Sequence, residues 1–221
     1  VEKGFKGEYI TLNATNGPIY LGADSEIMEG STIRAPFALC EESVVKMSAK
    51  IYGPTTIGPY SKVGGEINNS VFQANSNKAH DGFLGNSVIG EWCNIGADTN
   101  NSNLKNNYSE VRIWNYRKKR FIRSGLSFCG LIMGDHSKCG INTMFNTGTV
   151  VGVNANIFGP GFPRNFIPSF SWGGAQGFIT YDLKKAVEVA AEVMKRRDIQ
   201  LDKTETDILS EVFRLTEKYR L

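Results

Sequence analysis

The chain contains very little histidine, and this scarcity limits the chemistry that it can perform. Only two histidines occur among 221 residues, and the four cysteines show no C-x-x-C spacing (Cys40, Cys93, Cys129 and Cys139). A zinc centre of three histidines therefore cannot be assembled within one chain. The cysteines are interpreted as reduced thiols of a cytoplasmic protein. No metal site is predicted.

Strong net charge and long apolar runs are lacking as well. The formal net charge of +3 is too slight to indicate binding to nucleic acid. No apolar stretch is long enough to cross a bilayer, and no signal peptide opens the chain, so no membrane contact is expected. Proline is scarce, with 7 residues, whereas glycine is abundant, with 24, as a chain with many tight corners needs.

One aliphatic residue recurs at every sixth position over a stretch of more than forty residues. The eight positions are Leu21, Ile27, Ile33, Leu39, Val45, Ile51, Ile57 and Val63. Four residues after each comes a small residue, with Phe37 and Ile67 as the exceptions. Neither a helix nor a simple strand produces a period of six. Short strands separated by tight corners do, and the pattern is typical of the hexapeptide repeat of a parallel β-helix.

The repeat changes register twice further along the chain. After Val63, the core positions are predicted to be Val71, Asn77, Phe83, Ile89 and Ile95, with Asn77 as a polar residue in a core position. The segment at about 100–125 is polar and is predicted to be a loop or hairpin extruded from the coil. A last block follows at Met133, Cys139, Phe145, Val151 and Ile157.

The pattern divides the chain into three parts. Residues 1–17 form a lead-in segment, and residues 18–159 form the coil. Residues 160–221 form an extension with two amphipathic helices, one capped by Asp182 and one beginning near Thr204. These helices are predicted to seal the open end of the coil. The fold class is all-β: a parallel β-helix with a C-terminal pair of α-helices.

His80 is the strongest candidate for a catalytic group. It lies in the segment Asn77–Gly85, where the aliphatic spacing becomes polar. A polar interruption in a regular coil favours a surface retained for function, and imidazole is suited to proton transfer near neutral pH. By spacing alone, a solvated corner histidine is an equally good interpretation.

The run from Val63 to Asn103 resembles a known enzyme family. The segment Lys78–Gly85 (KAHDGFLG) is similar to the region around the catalytic histidine of the acetyltransferase domain of bifunctional N-acetylglucosamine-1-phosphate uridyltransferase / glucosamine-1-phosphate acetyltransferase. Asn94–Ala97 and Asn103 match the asparagine pattern that follows it, and the chain is most similar to a divergent bacterial branch. In that branch, a nucleotidyltransferase half would precede residue 1.

The resemblance implies a fold, a reaction and an assembly. The coil would be left-handed, and the protein would be a cytoplasmic homotrimer with sites between coils. Acetyl-CoA would be the co-substrate and glucosamine-1-phosphate the acceptor, in UDP-N-acetylglucosamine synthesis. His80 would be the general base and Glu66 the carboxylate that orients it. Two other functions stay open: N-acetylation of a different or nucleotide-linked amino sugar, and a catalytically silent assembly or regulatory module for a sugar nucleotidyltransferase.

The resemblance also implies binding residues. The substrate-binding positions are Lys50, Lys62, Asn68, Phe83, Asn94 and Asn103. Asn68 stands where the better-known branch has a basic residue, and Phe83 lacks the hydroxyl of its tyrosine. Lys62 precedes His80 by eighteen residues, about one coil, so it is expected to stack nearby and replace a lost phosphate contact, and a lysine on a solvated face is an equally good interpretation.

The cofactor would be held by a second group of residues. Ala97 would lie against the acetyl group, and Arg164 and Lys118 are candidates for the CoA phosphates. Lys118 belongs to the basic run 117–120, for which a solvated hairpin tip is the favoured interpretation. Cys93 and Cys139 as acyl-accepting nucleophiles are a weak alternative.

Overall fold

A parallel β-helix followed by two helices makes up the computed structural model, which describes residues 1–220. Its strands form three long sheets, called A, B and C. Sheet A contains Lys6–Gly7, Glu26–Ile27, Val44–Val45, Lys62–Val63, Asn77–Lys78, Asn94–Ile95, Lys138–Cys139, Asn156–Ile157, Ser171–Gly174 and Gly177–Thr180. Sheet B contains Thr11–Asn13, Thr32–Arg34, Lys50–Tyr52, Glu66–Asn68 and Phe83–Gly85, and the pair Asn100–Asn101 and Met144–Phe145 continues beyond its last strand. Sheet C contains Ile19–Leu21, Phe37–Leu39, Thr55–Ile57, Val71–Phe72, Val88–Ile89, Ile132–Met133, Val150–Val151 and Phe166–Ile167.

The six-residue repeat forms the core, as the sequence predicts. Leu39 pairs with Leu21 on one side and Ile57 on the other, so equivalent side chains of successive coils stack. All eight aliphatic positions of the first block are at most 1% exposed. The core positions of the last block are buried as well. The parallel β-helix prediction is therefore confirmed, together with the C-terminal helix pair.

The predicted register of the middle block is wrong by one residue at three positions. The inward residues are Phe72, Lys78 and Leu84, not the predicted Val71, Asn77 and Phe83. The cause is a pair of short corners: Ile67 pairs with Ile51 only four residues after Val63, and Phe72 pairs with Ile57 only five residues after Ile67. The remaining two positions of that block, Ile89 and Ile95, are buried as predicted. A prediction that places one core residue at every sixth position cannot detect a corner that is shorter than in the regular repeat.

The coil extends beyond both predicted boundaries. Lys6 pairs in parallel with Glu26, so coiling begins before residue 18. Phe166–Ile167 and Ser171–Gly174 pair in parallel with earlier coil strands, so coiling continues past residue 159.

The polar segment after residue 100 leaves the coil as a hairpin. Arg112–Asn115 and Arg120–Arg123 pair antiparallel, and the coil resumes where the Gly130 amide donates to the carbonyl of Asn86. The Trp114 ring stacks on Phe166 with ring centres 4.1 Å apart, which holds the hairpin against the coil.

The C-terminal helices pack along the side of the coil, and the prediction that they seal its open end is wrong. They span Leu183–Lys195 and Lys203–Thr216, with a 3₁₀ turn at Glu217–Tyr219. Arg197 reaches the carbonyl of Tyr60, several coils below the last, at 2.7 Å. Asp182 caps the first helix as predicted, whereas Asp202 caps the second. No helix within residues 1–220 is long and apolar enough to cross a membrane.

Candidate functional site

His80 lies on the edge where sheets A and B meet, called the base edge. Its corner rests directly on Gly65 of the preceding coil. A Cβ on Gly65 would lie 2.8 Å from the Asp81 Cα and 3.0 Å from the His80 carbonyl oxygen, and Gly65 has a φ of 72°. Glycine is therefore required there for both space and backbone conformation. The His80 side chain is exposed, and within residues 1–220 its ring makes no hydrogen bond or ion pair.

Glu66 lies on the outer face of sheet B beside this edge. It stands between Lys50 and Phe83 of the adjacent strands, and its carboxylate is 3.4 Å from the Lys50 ammonium. Within residues 1–220, no hydrogen bond joins the Glu66 carboxylate and the His80 ring, so the orienting role of Glu66 stays a prediction. Because both partners of the ion pair are partly exposed, the pair contributes little to stability. Glu66 and Lys50 therefore remain available to a ligand.

Lys62 and Asn94 lie on the sheet A side of the same edge. Lys62 pairs with Asn77, and Asn77 pairs with Asn94 in the next coil. The Asn77 amide donates to the Asn94 side-chain oxygen at 2.8 Å. Lys62 lies one coil below Asn77 and not directly below His80, because the coil here has fifteen residues from Lys62 to Asn77 instead of eighteen.

Ala97 lies in the corner one coil beyond His80. The amide of the next residue, Asp98, donates to the Asp81 carbonyl at 2.9 Å, so the two corners are stacked. The base edge thus brings together His80 and Ala97 with the side chains on the flanking outer faces. Those flanking residues are Lys50, Lys62, Glu66, Phe83 and Asn94.

Asn68 and Asn103 lie at the opposite edge of sheet B, which we call the amide edge. The Asn103 amide donates to the Asn86 side-chain oxygen at 2.7 Å, and the Asn86 backbone amide donates to the Asn68 carbonyl at 2.9 Å. Asn68 and Asn86 line a groove of about 810 Å³ that also has Leu126 on its wall. The sequence pattern does not reveal this groove, because the segment opposite the coil lacks the six-residue repeat.

Phe83 connects the two edges of sheet B. A Cβ on Gly85 would lie 2.5 Å from the Phe83 Cζ and 2.7 Å from the Asn103 amide nitrogen. The ring therefore lies across the outer face of Gly85, with its tip towards Asn103. It presents an apolar surface where the resembling family has a phenol.

A second cavity, of about 570 Å³, lies between the hairpin and the last coils. It is lined by Lys105, Arg112, Phe121, Thr147, Arg164, Asn165 and Phe166. Three of these residues are cations, and among the described residues that line it none is a carboxylate. Arg164 was predicted as a phosphate contact, whereas Lys105 and Arg112 were missed because the hairpin has no repeat. Lys118 is exposed at the hairpin tip and does not line the cavity.

The cysteines and the second histidine are poorly placed for catalysis. Burial raises the pKa of the Cys93 thiol to about 12 and also raises the pKa of Cys139. Neither forms a thiolate readily at neutral pH, which disfavours an acyl-enzyme on either residue. His136 is buried, its ring stacks on Trp92, and burial lowers its pKa to about 4. His80 is thus the histidine suited to take up a proton.

Sequence reasoning missed Lys78, which is fully buried beneath the His80 corner. Its side chain is 1% exposed and occupies an inward position between Val63 and Ile95. The ammonium donates to the carbonyls of Gly64 at 3.0 Å and His80 at 2.8 Å. Burial lowers its pKa to about 8, and nearby Asp81, Cys139 and Asp98 oppose that change. The one-residue register error hid it, since the predicted inward residue was Asn77.

The buried ammonium should make stability depend on pH in alkaline solution. The pKa of Lys78 is about 8 when folded, below the ordinary value of about 10.4 that it regains on unfolding. Between these values the unfolded chain binds more protons, so the free energy of unfolding should rise with pH, by up to about 3 kcal/mol. Urea titrations at pH 7.5 and 10.5, compared with Lys78→Met, would measure this. An identical pH dependence in both proteins would contradict it.

Within residues 1–220, no group of three or more His, Cys, Asp or Glu side chains is placed to hold a metal ion.

Comparisons with known proteins found likeness only among solved structures. No family model matches the sequence, and no curated protein matches it. The N-acyltransferase AntD from Bacillus cereus, solved with dTDP and 3-hydroxybutyryl-CoA, is 14% identical with a TM-score of 0.46, over 81% of this chain and 91% of that one. The polySia-specific acetyltransferase NeuO is 14% identical with a TM-score of 0.40, over 86% and 95%. UDP-N-acetylglucosamine acyltransferase from Campylobacter jejuni is 16% identical with a TM-score of 0.35, over 97% and 82%. These overlaps are too low to carry a functional argument, which rests on the chain's own residues.

Proposed function

We propose that this chain is an acetyl-CoA-dependent N-acetyltransferase that acts on an amino-sugar phosphate. The observation that carries the proposal is His80, an exposed imidazole without a protein partner within residues 1–220, placed by Gly65 on an edge lined with polar side chains. Its segment also resembles the catalytic segment of such enzymes. The left-handed winding of the coil, glucosamine-1-phosphate as acceptor and a cytoplasmic site of action belong to the same proposal.

The reaction needs one proton acceptor and no covalent intermediate on the protein. The acceptor amine attacks the thioester carbonyl, a C–N bond forms, and the C–S bond breaks to release coenzyme A as its thiol. His80 takes the amine proton, a contribution of about 10²- to 10⁴-fold. Glu66, one coil below, is proposed to orient the imidazole through its charge. The high pKa of Cys93 supports direct transfer over an acyl-cysteine.

The cationic cavity is the proposed site for the phosphates of acetyl-CoA. Arg164, Lys105 and Arg112 line it together, and guanidinium groups bind phosphate through paired hydrogen bonds. Ala97 leaves room for an acetyl group beside His80. Lys118 would contribute only by reaching a neighbouring subunit, because it lies at the exposed hairpin tip.

The positions of the proposed ligands support a homotrimer. His80 lies at one edge of sheet B, whereas Asn103 and the cationic cavity lie at the other, about six residues of extended chain away. A substrate that needs both sets of groups is served best where the base edge of one chain faces the amide edge of another. Flat-sided coils suit such closed rotational symmetry.

The trimer is testable without any ligand. Sedimentation equilibrium over a wide range of protein concentration should give three times the mass of the 24.4 kDa chain. A monomer at every concentration would contradict the proposal of a shared site, since each chain would then have to act alone.

A second acceptor is favoured by two residues of the site. Phe83 offers a ring face without a hydroxyl, and Asn68 offers an amide in place of a cation. Both changes remove contacts that a sugar phosphate would use, and so favour another acceptor, such as a different or nucleotide-linked amino sugar. A catalytically silent assembly module is the remaining alternative. Acetyl transfer by the purified chain would rule it out, and a lack of transfer would favour it.

One assay separates these functions. The purified chain is incubated with acetyl-CoA and a panel that contains glucosamine-1-phosphate, free glucosamine and nucleotide-linked amino sugars, and the released thiol is followed over time. Turnover with glucosamine-1-phosphate above the others is the expected result. Turnover only with another amine identifies the second acceptor class. No turnover with any amine favours the silent module.

A further inference from the structure

Hydroxyl groups cap a series of backbone carbonyls that point into the coil. The Ser31 hydroxyl donates to the carbonyl of Lys46 at 2.9 Å, fifteen residues later. Ser43 does the same for Gly58 at 2.8 Å, and it too lies fifteen residues earlier. Each donor is the small residue of one repeat, and each acceptor follows a core aliphatic residue of the next coil. The small residues thus satisfy carbonyls that would otherwise be buried without a partner.

The series is interrupted at the coil that precedes His80. The residue fifteen positions before Gly64 is Ala49, which has no hydroxyl. The Gly64 carbonyl instead accepts from the Lys78 ammonium at 3.0 Å. Lys78 lies in the following coil, so it caps this carbonyl from the opposite side.

The need of the Gly64 carbonyl for a hydrogen-bond donor does not by itself explain why position 78 is a lysine. Burying an ammonium costs far more than burying a hydroxyl, and serine at position 49 would follow the pattern of its neighbours. What a hydroxyl at position 49 cannot supply is the second bond, from Lys78 to the carbonyl of His80 at 2.8 Å. That bond lies within the same corner as the imidazole and fixes the His80 peptide against Gly64.

We propose that Lys78 is a positioning residue for His80. By holding the His80 and Gly64 carbonyls on one ammonium, it sets the direction in which the His80 side chain leaves the backbone. This inference rests on the proposed function for its catalytic consequence, because it assigns the lysine to the presentation of the base. Lys78 itself is enclosed by the core and touches no substrate.

The experiment distinguishes a Lys78 that only hydrogen-bonds the Gly64 carbonyl from a Lys78 that also orients His80. Lys78→Met keeps an unbranched chain of similar length and removes both hydrogen bonds. Ala49→Ser combined with Lys78→Met restores a donor for Gly64 but not for His80. Ser31→Ala removes a cap from the same series, three coils from His80, and serves as the control for purely structural loss. All four proteins, including the wild type, are compared for thermal stability, steady-state kinetics and amide hydrogen exchange of residues 79–83.

The expected pattern is specific. Ala49→Ser/Lys78→Met should be at least as stable as Lys78→Met, yet keep a kcat about tenfold or more below wild type with little change in the KM for acetyl-CoA. Exchange at residues 79–83 should be faster in both Lys78 variants and unchanged in Ser31→Ala. If the double variant regains wild-type kcat and exchange, Lys78 only caps Gly64 and the proposal is wrong.

Failure of the two proposals can be told apart. If the wild type transfers no acetyl group, the proposed function fails, whereas the exchange measurement still decides whether Lys78 orders the His80 corner. If the wild type is active and Lys78→Met retains full kcat while folded, only the positioning role fails.

Discussion

His80→Ala should lower acetyl transfer by at least about 10²-fold, the lower end of the effect of losing a general base. The physical reason is that the amine must lose its proton as the C–N bond forms, and the only other histidine of the chain is buried with a low pKa. Affinity for acetyl-CoA should change little, because His80 meets the amine. Steady-state kinetics and cofactor binding, measured on the same preparation, would test both statements.

Two controls make the result interpretable. Glu66→Gln should cost less than His80→Ala, because Glu66 contacts Lys50 and acts on the base only through its charge. His80 is exposed, so its removal should leave thermal stability and assembly unchanged. A folded His80→Ala protein with full turnover would show that His80 is an ordinary corner histidine.

The regular parts of the fold could be predicted from the sequence because every coil buries the same kind of side chain at the same spacing. Ile33, Ile51 and Ile57 are buried as predicted, since a six-residue repeat leaves one inward side chain per strand. The corner at Gly64 and Gly65 could not be predicted, because a shortened turn changes the register without a compositional signal other than glycine. Lys78 was hidden by that change.

For the candidate site too, some residues could be predicted from the sequence and others could not. The resemblance of the segment Lys78–Gly85 points to His80 and Glu66, which the structure places one coil apart. The cationic cavity could not be predicted, because it joins the hairpin to the last coils, which are distant in sequence and have no common period. The course of the C-terminal helices was missed for a related reason: an amphipathic stripe indicates that a helix packs, but does not indicate against which surface.

Ile51→Ala should reduce the free energy of unfolding by about 2–5 kcal/mol, the range for truncating a buried aliphatic side chain. Ile51 is 1% exposed and stacks between Ile33 and Ile67 of adjacent coils, so its loss leaves a cavity that the stacked sheets cannot easily close. Chemical denaturation at fixed protein concentration would measure the change.

Val71→Ala is the matched control for this prediction and for the corrected register. The sequence analysis places Val71 in the core after a shift of register, whereas the structure leaves it 40% exposed and buries Phe72. Because an exposed truncation leaves no cavity, Val71→Ala should cost far less than Ile51→Ala. Equal losses from the two variants would mean that Val71 points inward. The inward residues of the middle block would then be Val71, Asn77 and Phe83, and Lys78 would face solvent instead of lying beneath His80.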